Sequence, residues 1–238
     1  MKILILTLDL LGDMIMTTPV ISALREAYPY DQIDILVRQQ YRELFLYNPN
    51  INNVLTAPSR KEMQRYPSKY FEVIKKIRSG HYDIAISTHS ADITAIFTMF
   101  SGAKKKYGFI PKKYYSIFYT KSELLGKTNR EAKGIHRVEI NLTVLELLGI
   151  QVNKQYPPKI WIDDNTLFEA ERLWVEAGLG KTKVIGLNPG GYTDADIKQW
   201  TNEGFAELAD MLQNNGFQVV FFGGTNEIEV VDKIRKLM

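Results

Sequence analysis

Ile3-Leu4-Ile5-Leu6-Thr7-Leu8-Asp9-Leu10-Leu11-Gly12-Asp13 is the stretch that decides the fold. Ile3–Leu8 is an unbroken run of strand length, the pattern of a strand covered on both faces in a parallel sheet. Asp9 ends it, and Gly12 permits an unusual backbone angle in the loop that follows. A helix then runs from about Thr18, with Pro19 suited to its first turn, through Val20, Ile21, Leu24 and Ala27 to Tyr28-Pro29.

The same alternation repeats outward from this unit. Ile33–Val37, Val54–Thr56, Ile84–Ser87 and Lys106–Phe109 read as strands. Helical stretches around Tyr41–Leu46, Lys69–Arg78, Ala91–Phe100 and His136–Leu148 separate or follow them, with a Tyr-rich loop after the fifth strand. Strands alternating with helices predict an α/β fold built on a parallel sheet. Tyr156-Pro157-Pro158 interrupts the pattern and marks the expected boundary between domains 1–158 and 159–238. The second domain is expected to carry a helix from Asp164 or Asn165 to Ala177, strand Val184–Asn188 and helix Glu203–Gln213. Strand Gln218–Phe222 and a helix from about Asn226 complete it. Two parallel strands leave edges unpaired, so this domain is expected to be incomplete or to lean on the first.

Composition narrows the function classes. The 238 residues are 45% hydrophobic and 24% charged, which excludes a disordered or fibrous chain. Absence of cysteine removes disulfides, thiolate metal sites and cysteine nucleophiles together. The opening apolar run is too short for a signal peptide or a membrane span, so the chain is expected in the cytosol. Net charge is only +3, yet residues 1–150 carry 21 Lys+Arg against 14 Asp+Glu. Lys104-Lys105-Lys106, Lys112-Lys113 and the stretch Lys121 to Arg137 hold much of that excess. Such a half either faces an anionic partner (a phosphorylated substrate or an acidic membrane) or is simply well solvated. No recognition helix, zinc finger or aromatic stacking signature accompanies the charge, so nucleic acid is not expected.

Open parallel sheets bind ligands beyond the carboxyl ends of their strands. Three loops qualify. In Asp9–Asp13, Asp13 projects near a helix start, where the dipole favours its charged form and leaves it competent as a base; Asp9 or Asp13 equally suits a helix cap. In Asn188-Pro189-Gly190-Gly191-Tyr192-Thr193, leading to Lys198-Gln199-Trp200, backbone N–H groups, Thr193 and Lys198 can meet a phosphate, or the segment is a plain strand-to-helix loop. In Gly223-Gly224-Thr225-Asn226-Glu227, Glu227 can accept from sugar hydroxyls or favour the helix dipole. His89 ends the fourth strand on the same sheet edge as Asp13, where it either lines a cleft or packs structurally. His136, at a helix start, suits a local capping role. The three histidines show no metal-ligand spacing.

Taken together the loops resemble glycosyltransferase family 9, the heptosyltransferases of the lipopolysaccharide inner core. The resemblance rests on Asp9-Leu-Leu-Gly-Asp13-Met-Ile-Met-Thr-Thr-Pro-Val20, Gly186-Leu-Asn-Pro-Gly190 with Lys198-Gln-Trp200, Gly223-Gly224 with Glu227, and His136-Arg-Val-Glu139. It implies a GT-B architecture of two Rossmann-like domains, the second incomplete in this chain. It also implies inverting transfer of a heptose or related sugar from a nucleotide-sugar donor, typically ADP-heptose, with no metal or other cofactor. Carried over, Asp13 is the general base; Asn188, Gly190, Gly191, Thr193, Lys198 and Glu227 hold the donor; Gly12, His89, Lys112 and Lys113 meet the acceptor. That acceptor is a phosphorylated glycolipid of the lipid A–Kdo type, reached by a cytoplasmic protein with peripheral contact at the inner membrane face. Family members usually carry Arg or Lys shortly before the Gly-Asp pair, where this chain reads Thr7-Leu8-Asp9, and an Asp-x-Gly-x-x-His-type motif beyond the position of Met238. This chain by itself is therefore expected to transfer weakly or not at all. The alternatives are a non-catalytic nucleotide-sugar-binding fragment and an anionic-surface adaptor.

Overall fold

The computed structural model describes residues 1–124, 134–190 and 200–238. Its contacts divide the chain into two units, Met1–Ile162 and Asp163–Met238. Lys159, just past the Pro157-Pro158 pair, still donates its N–H to Thr18 Oγ1 in the first unit.

The first unit is one six-stranded parallel sheet. Its strands are β1 (Lys2–Leu6), β2 (Gln32–Arg38), β3 (Asn53–Ala57), β4 (Ile84–Ser87), β5 (Lys105–Ile110) and β6 (Lys121–Leu124), in the order β3-β2-β1-β4-β5-β6. Helices α1 (Leu11–Ile15), α2 (Thr18–Ala27), α3 (Glu43–Leu46), α4 (Arg60–Arg65), α5 (Ser68–Arg78), α6 (Asp92–Met99), α7 (Arg137–Leu142) and α8 (Val144–Leu147) cover it. Side chains alternate across a strand, and here both faces are buried. Ile3 and Ile5 of β1 join Ile33, Ile35, Ile84 and Ile86 beneath α2, α7 and α8. Leu4 and Leu6 join Leu36, Leu55 and Ala85 beneath α4, α5 and α6, where Phe97 is fully buried. The central strand therefore reads apolar from Ile3 to Leu6. The buried Asp34 carboxyl is compatible with this core because it accepts from Gln32 Nε2 at 2.8 Å, Asn53 Nδ2 at 2.9 Å and Tyr82 Oη at 2.8 Å.

Two elements escape the hydrophobic pattern. Lys121-Ser-Glu-Leu124 is a polar edge strand paired parallel to β5, with Tyr107 opposite Lys121. Helix α4 buries a single apolar residue, Met63, and starts because Ser59 Oγ accepts from Glu62 N at 3.2 Å. The helix expected over His136–Leu148 is broken at Thr143, whose hydroxyl donates to Ile140 O at 2.8 Å. Gly108 has φ of +141° and sits so close to Ser87 that a Cβ would lie 2.7 Å from its backbone nitrogen. Glycine is required there by angle and by space.

The second unit holds the parallel pair β7 (Val184–Leu187) and β8 (Gln218–Phe221), with Val184 opposite Gln218. Helices α9 (Asp164–Glu176), α10 (Asn202–Asn214) and α11 (Ile228–Leu237) accompany it. Asp163 caps α9 by accepting from the N–H groups of Asn165 and Thr166, and Thr201 caps α10 through Gly204 N–H. Among the described residues its apolar side chains are poorly covered: Phe168, Val175, Met211 and Phe222 are all exposed. Among the described residues no helix is long and apolar enough to cross a membrane.

Candidate functional site

In the first unit, the carboxyl ends of β1, β2 and β4 bring together two acids, a histidine and two arginines. Leu10, the residue before α1, makes no side-chain capping bond, and Asp9 Oδ1 instead accepts from Leu10 N–H at 3.0 Å. Asp13 stands in the first turn of this five-residue helix. Arg137, the first residue of α7, spans the pair. Its Nη2 is 3.8 Å from Asp9 Oδ2, and its Nε is 3.9 Å from Asp13 Oδ1. His89 Nε2 lies 3.4 Å from Asp9 Oδ2, while its Nδ1 shares a hydrogen bond with Thr94 Oγ1 at 3.4 Å. Arg38, at the end of β2, donates to Leu8 O at 2.8 Å.

The group is graded in exposure. Side chains of Asp9, His89 and Arg137 are 14%, 20% and 22% exposed, whereas Asp13 is 39% exposed and is the member that solvent or a ligand reaches most readily. Burial raises the Asp13 carboxyl above its ordinary value, the neighbouring Asp9 raises it further, and Arg137 opposes both. Against the sequence expectation, the helix start does not hold Asp13 below the usual carboxylate range. Asp9 is likewise raised, chiefly by burial. Burial pushes the His89 imidazole down to about 4, helped by Arg137 and Arg38, so the ring is neutral at physiological pH. A raised, accessible carboxyl backed by a guanidinium suits proton abstraction near neutral pH.

His136 does cap α7, its Nδ1 accepting from Val138 N–H at 3.3 Å. Lys112 is drawn toward Asp92 at 3.4 Å, on the first turn of α6, rather than into the carboxyl pair. Lys113 begins a 3-10 turn, Lys113–Phe118, in which Tyr115 is buried. Gly12 has open space around its Cα.

In the second unit, the ends of β7 and β8 meet. Asn188 Oδ1 accepts from Gly190 N–H at 3.0 Å, and Glu227 Oε2 accepts from Gly224 N–H at 2.5 Å. A Cβ on Gly190 would overlap the Glu227 carboxyl, and one on Gly223 would lie 2.8 Å from Glu227 Oε2. Asn188, Gly190, Gly223, Gly224 and Glu227 thus form one small polar cradle, with glycines leaving room for the carboxylate. Gly191, Thr193 and Lys198 lie outside the described residues.

Known proteins share this arrangement of elements. The sequence model of glycosyltransferase family 9 (heptosyltransferase) matches residues 70–238. The chain belongs to glycosyltransferase family 9. It is 31% identical to Lipopolysaccharide heptosyltransferase 3 of Escherichia coli over 228 residues, covering 91% of this chain and 62% of that one. A solved glycosyl transferase family 9 structure from Veillonella parvula DSM 2008 superimposes with a TM-score of 0.87 at 28% identity, over all of this chain and 66% of that one. The E. coli heptosyltransferase WaaC, solved with ADP-2-deoxy-2-fluoro heptose, shares the fold at a TM-score of 0.74 and 18% identity, over 99% of this chain and 73% of that one. This family-9 chain therefore spans just under two thirds of the length of the first two relatives, and its fold is of the α/β, GT-B type.

Sequence reasoning found Asp13, His89 and Glu227 as separate candidates but missed Arg137 and Arg38 as site groups. In the sequence Arg137 is legible as the end of a basic run and as part of His136-Arg-Val-Glu139, and neither ties it to Asp13. Its neighbour His136, a helix-capping residue, was the signal that a side chain here would be held at a defined place.

Proposed function

We propose that this family-9 protein transfers a heptose from a nucleotide-sugar donor, ADP-heptose, to a phosphorylated lipopolysaccharide inner-core acceptor, with inversion. The observation that carries this reading is Asp13: an accessible carboxyl, raised by burial and by Asp9, with Arg137 Nε 3.9 Å away at the carboxyl end of the sheet. In the transfer, the acceptor hydroxyl oxygen attacks the anomeric carbon and gives its proton to Asp13. The bond from that carbon to the donor diphosphate breaks with its electron pair, and ADP departs. Attack opposite the leaving group inverts the anomeric centre, and the proposed reaction needs no metal.

The relatives support the sugar and the acceptor. A 31%-identical protein is named a lipopolysaccharide heptosyltransferase, and one with the same fold is described with an ADP-heptose analogue. The cradle of Asn188, Gly190 and Glu227 is the proposed nucleoside contact, and Thr193 and Lys198 the proposed diphosphate contact. We further propose peripheral contact with an anionic membrane through the turn Lys113–Phe118. Tyr115 and Tyr119 anchor it inside, while Tyr114 and Ile117, three residues apart and eclipsed on one face, are 57% and 77% exposed beside Lys112 and Lys113.

Titration with ADP and with ADP-heptose, paired with a transfer assay with and without EDTA, tests the reading. Donor binding with weak transfer that EDTA leaves unaffected is the expected result. ADP binding without transfer would favour a nucleotide-binding module instead.

A further inference from the structure

The structure holds two acids where the proposed reaction uses one. Asp9 is the more deeply placed of the two, 14% exposed; its carboxyl lies 3.4 Å from His89 Nε2 and 3.8 Å from Arg137 Nη2 and shares a side-chain hydrogen bond with Asp13. Arg137 reaches Asp13 with its other edge, at 3.9 Å. One guanidinium is thus shared between two carboxyls, Asp9 from the loop after β1 and Asp13 from α1. Among the described residues, the charged or titratable groups that act on the pair include Arg137 from α7, His89 from the end of β4 and Arg38 from the end of β2, with Thr94 of α6 behind His89.

From this geometry we propose that Asp9 is a positioning residue for Asp13, dividing the Arg137 guanidinium between the two acids so that Asp13 keeps a proton-accepting oxygen. An Arg–carboxylate pair formed with Asp13 alone would neutralise it and make it a poorer base. With Asp9 present, the guanidinium is partly engaged elsewhere and a second negative group stands behind the first. Both effects act in the same direction, toward a more basic Asp13, and this agrees with Asp9 raising the Asp13 carboxyl. His89, neutral at physiological pH, fills the remaining side of Asp9 without adding a competing cation. The inference rests on the reading of Asp13 as the base only for its catalytic meaning. The charge sharing stands or falls by itself.

The test is a carboxyl titration of the 238-residue chain carrying 13Cγ-labelled aspartate, with the Asp9 and Asp13 signals assigned from Asp9→Asn and Asp13→Asn. Asn at position 9 keeps the oxygen that accepts from Leu10 N–H, so the loop retains its local bond. In Asp9→Asn the Asp13 midpoint is expected to fall by about one pH unit. In Arg137→Gln it is expected to rise by a similar amount, the opposite sign, which a general loosening of the site does not produce. Asp9→Glu, which restores the charge, should return the Asp13 midpoint most of the way. An Asp13 midpoint that stays or rises in Asp9→Asn, or that Asp9→Glu fails to restore, overturns the assignment. Full transfer activity in Asp13→Asn would instead refute the base role and leave these titration results intact.

Discussion

Gly190→Ala isolates what the second-unit cradle does. The new Cβ would occupy the place of the Glu227 carboxyl, and Gly190 has no left-handed φ, so space alone requires glycine. The atoms displaced are the far end of a flexible side chain, so the fold itself should lose little. The Glu227 bond to Gly224 N–H, 2.5 Å and solvent-exposed, contributes about 1 kcal/mol or less. Ligand binding should lose more. If Glu227 accepts from nucleoside hydroxyls, swinging it out forfeits about 1.5–3 kcal/mol of charge-assisted hydrogen bonding, a roughly 10- to 150-fold rise in Kd. Calorimetric titration with ADP reads the Kd, and a thermal melt reads the fold. The expected outcome is a Tm shift of only a few degrees together with at least tenfold weaker ADP binding. A Kd within twofold of the parent would refute the assignment of Glu227 to the nucleoside. A collapse of the fold would refute the argument that the displaced carboxylate can move.

Two further predictions concern the first unit. His89 sits near 4 in the folded chain against an ordinary 6.5, so between those values the unfolded chain takes up a proton that the folded chain refuses. Stability should therefore fall as pH drops from 6.5 toward 4, by about 2 kcal/mol at pH 5 from this group alone. The raised Asp9 and Asp13 act with the opposite sign above their ordinary 3.8, favouring the folded state at lower pH in parent and variant alike. His89→Gln should lose less Tm between pH 7 and pH 5 than the parent, and equal losses would contradict the burial argument. Ile117→Glu should weaken binding to phosphatidylglycerol vesicles about tenfold, since it removes an exposed apolar contact and adds repulsion. Unchanged cosedimentation in that variant would rule out the turn Lys113–Phe118 as the contact.

Much of the sheet was legible because its central strands are buried on both faces. Ile84–Ser87 matches the sequence reading to the residue, and β1, β2 and β3 match within two residues at either end, since each carries a run of buried, mostly apolar positions. Lys121–Leu124 was not legible: an edge strand is held by one row of backbone bonds to β5 and needs no apolar face. Helix α4 was hidden for a similar reason, having only Met63 to bury. At the site, Asp13, His89 and Glu227 could be found because each follows a strand end. Arg137 could not be tied to Asp13, since 124 positions separate them and only the packing of α7 on α2 brings them close. The sequence offers either Asp9 or Asp13 as a helix cap, and only the fold brings the Asp9 carboxyl beside a histidine and an arginine.

The most direct measurement is transfer from ADP-heptose to an inner-core acceptor by the protein and by Asp13→Asn, with ADP affinity measured on both. The account predicts that Asn at position 13 lowers the rate by about 100- to 10,000-fold, the scale of a lost general base, while ADP binds within twofold of the parent. Transfer that survives in Asp13→Asn would contradict the central claim.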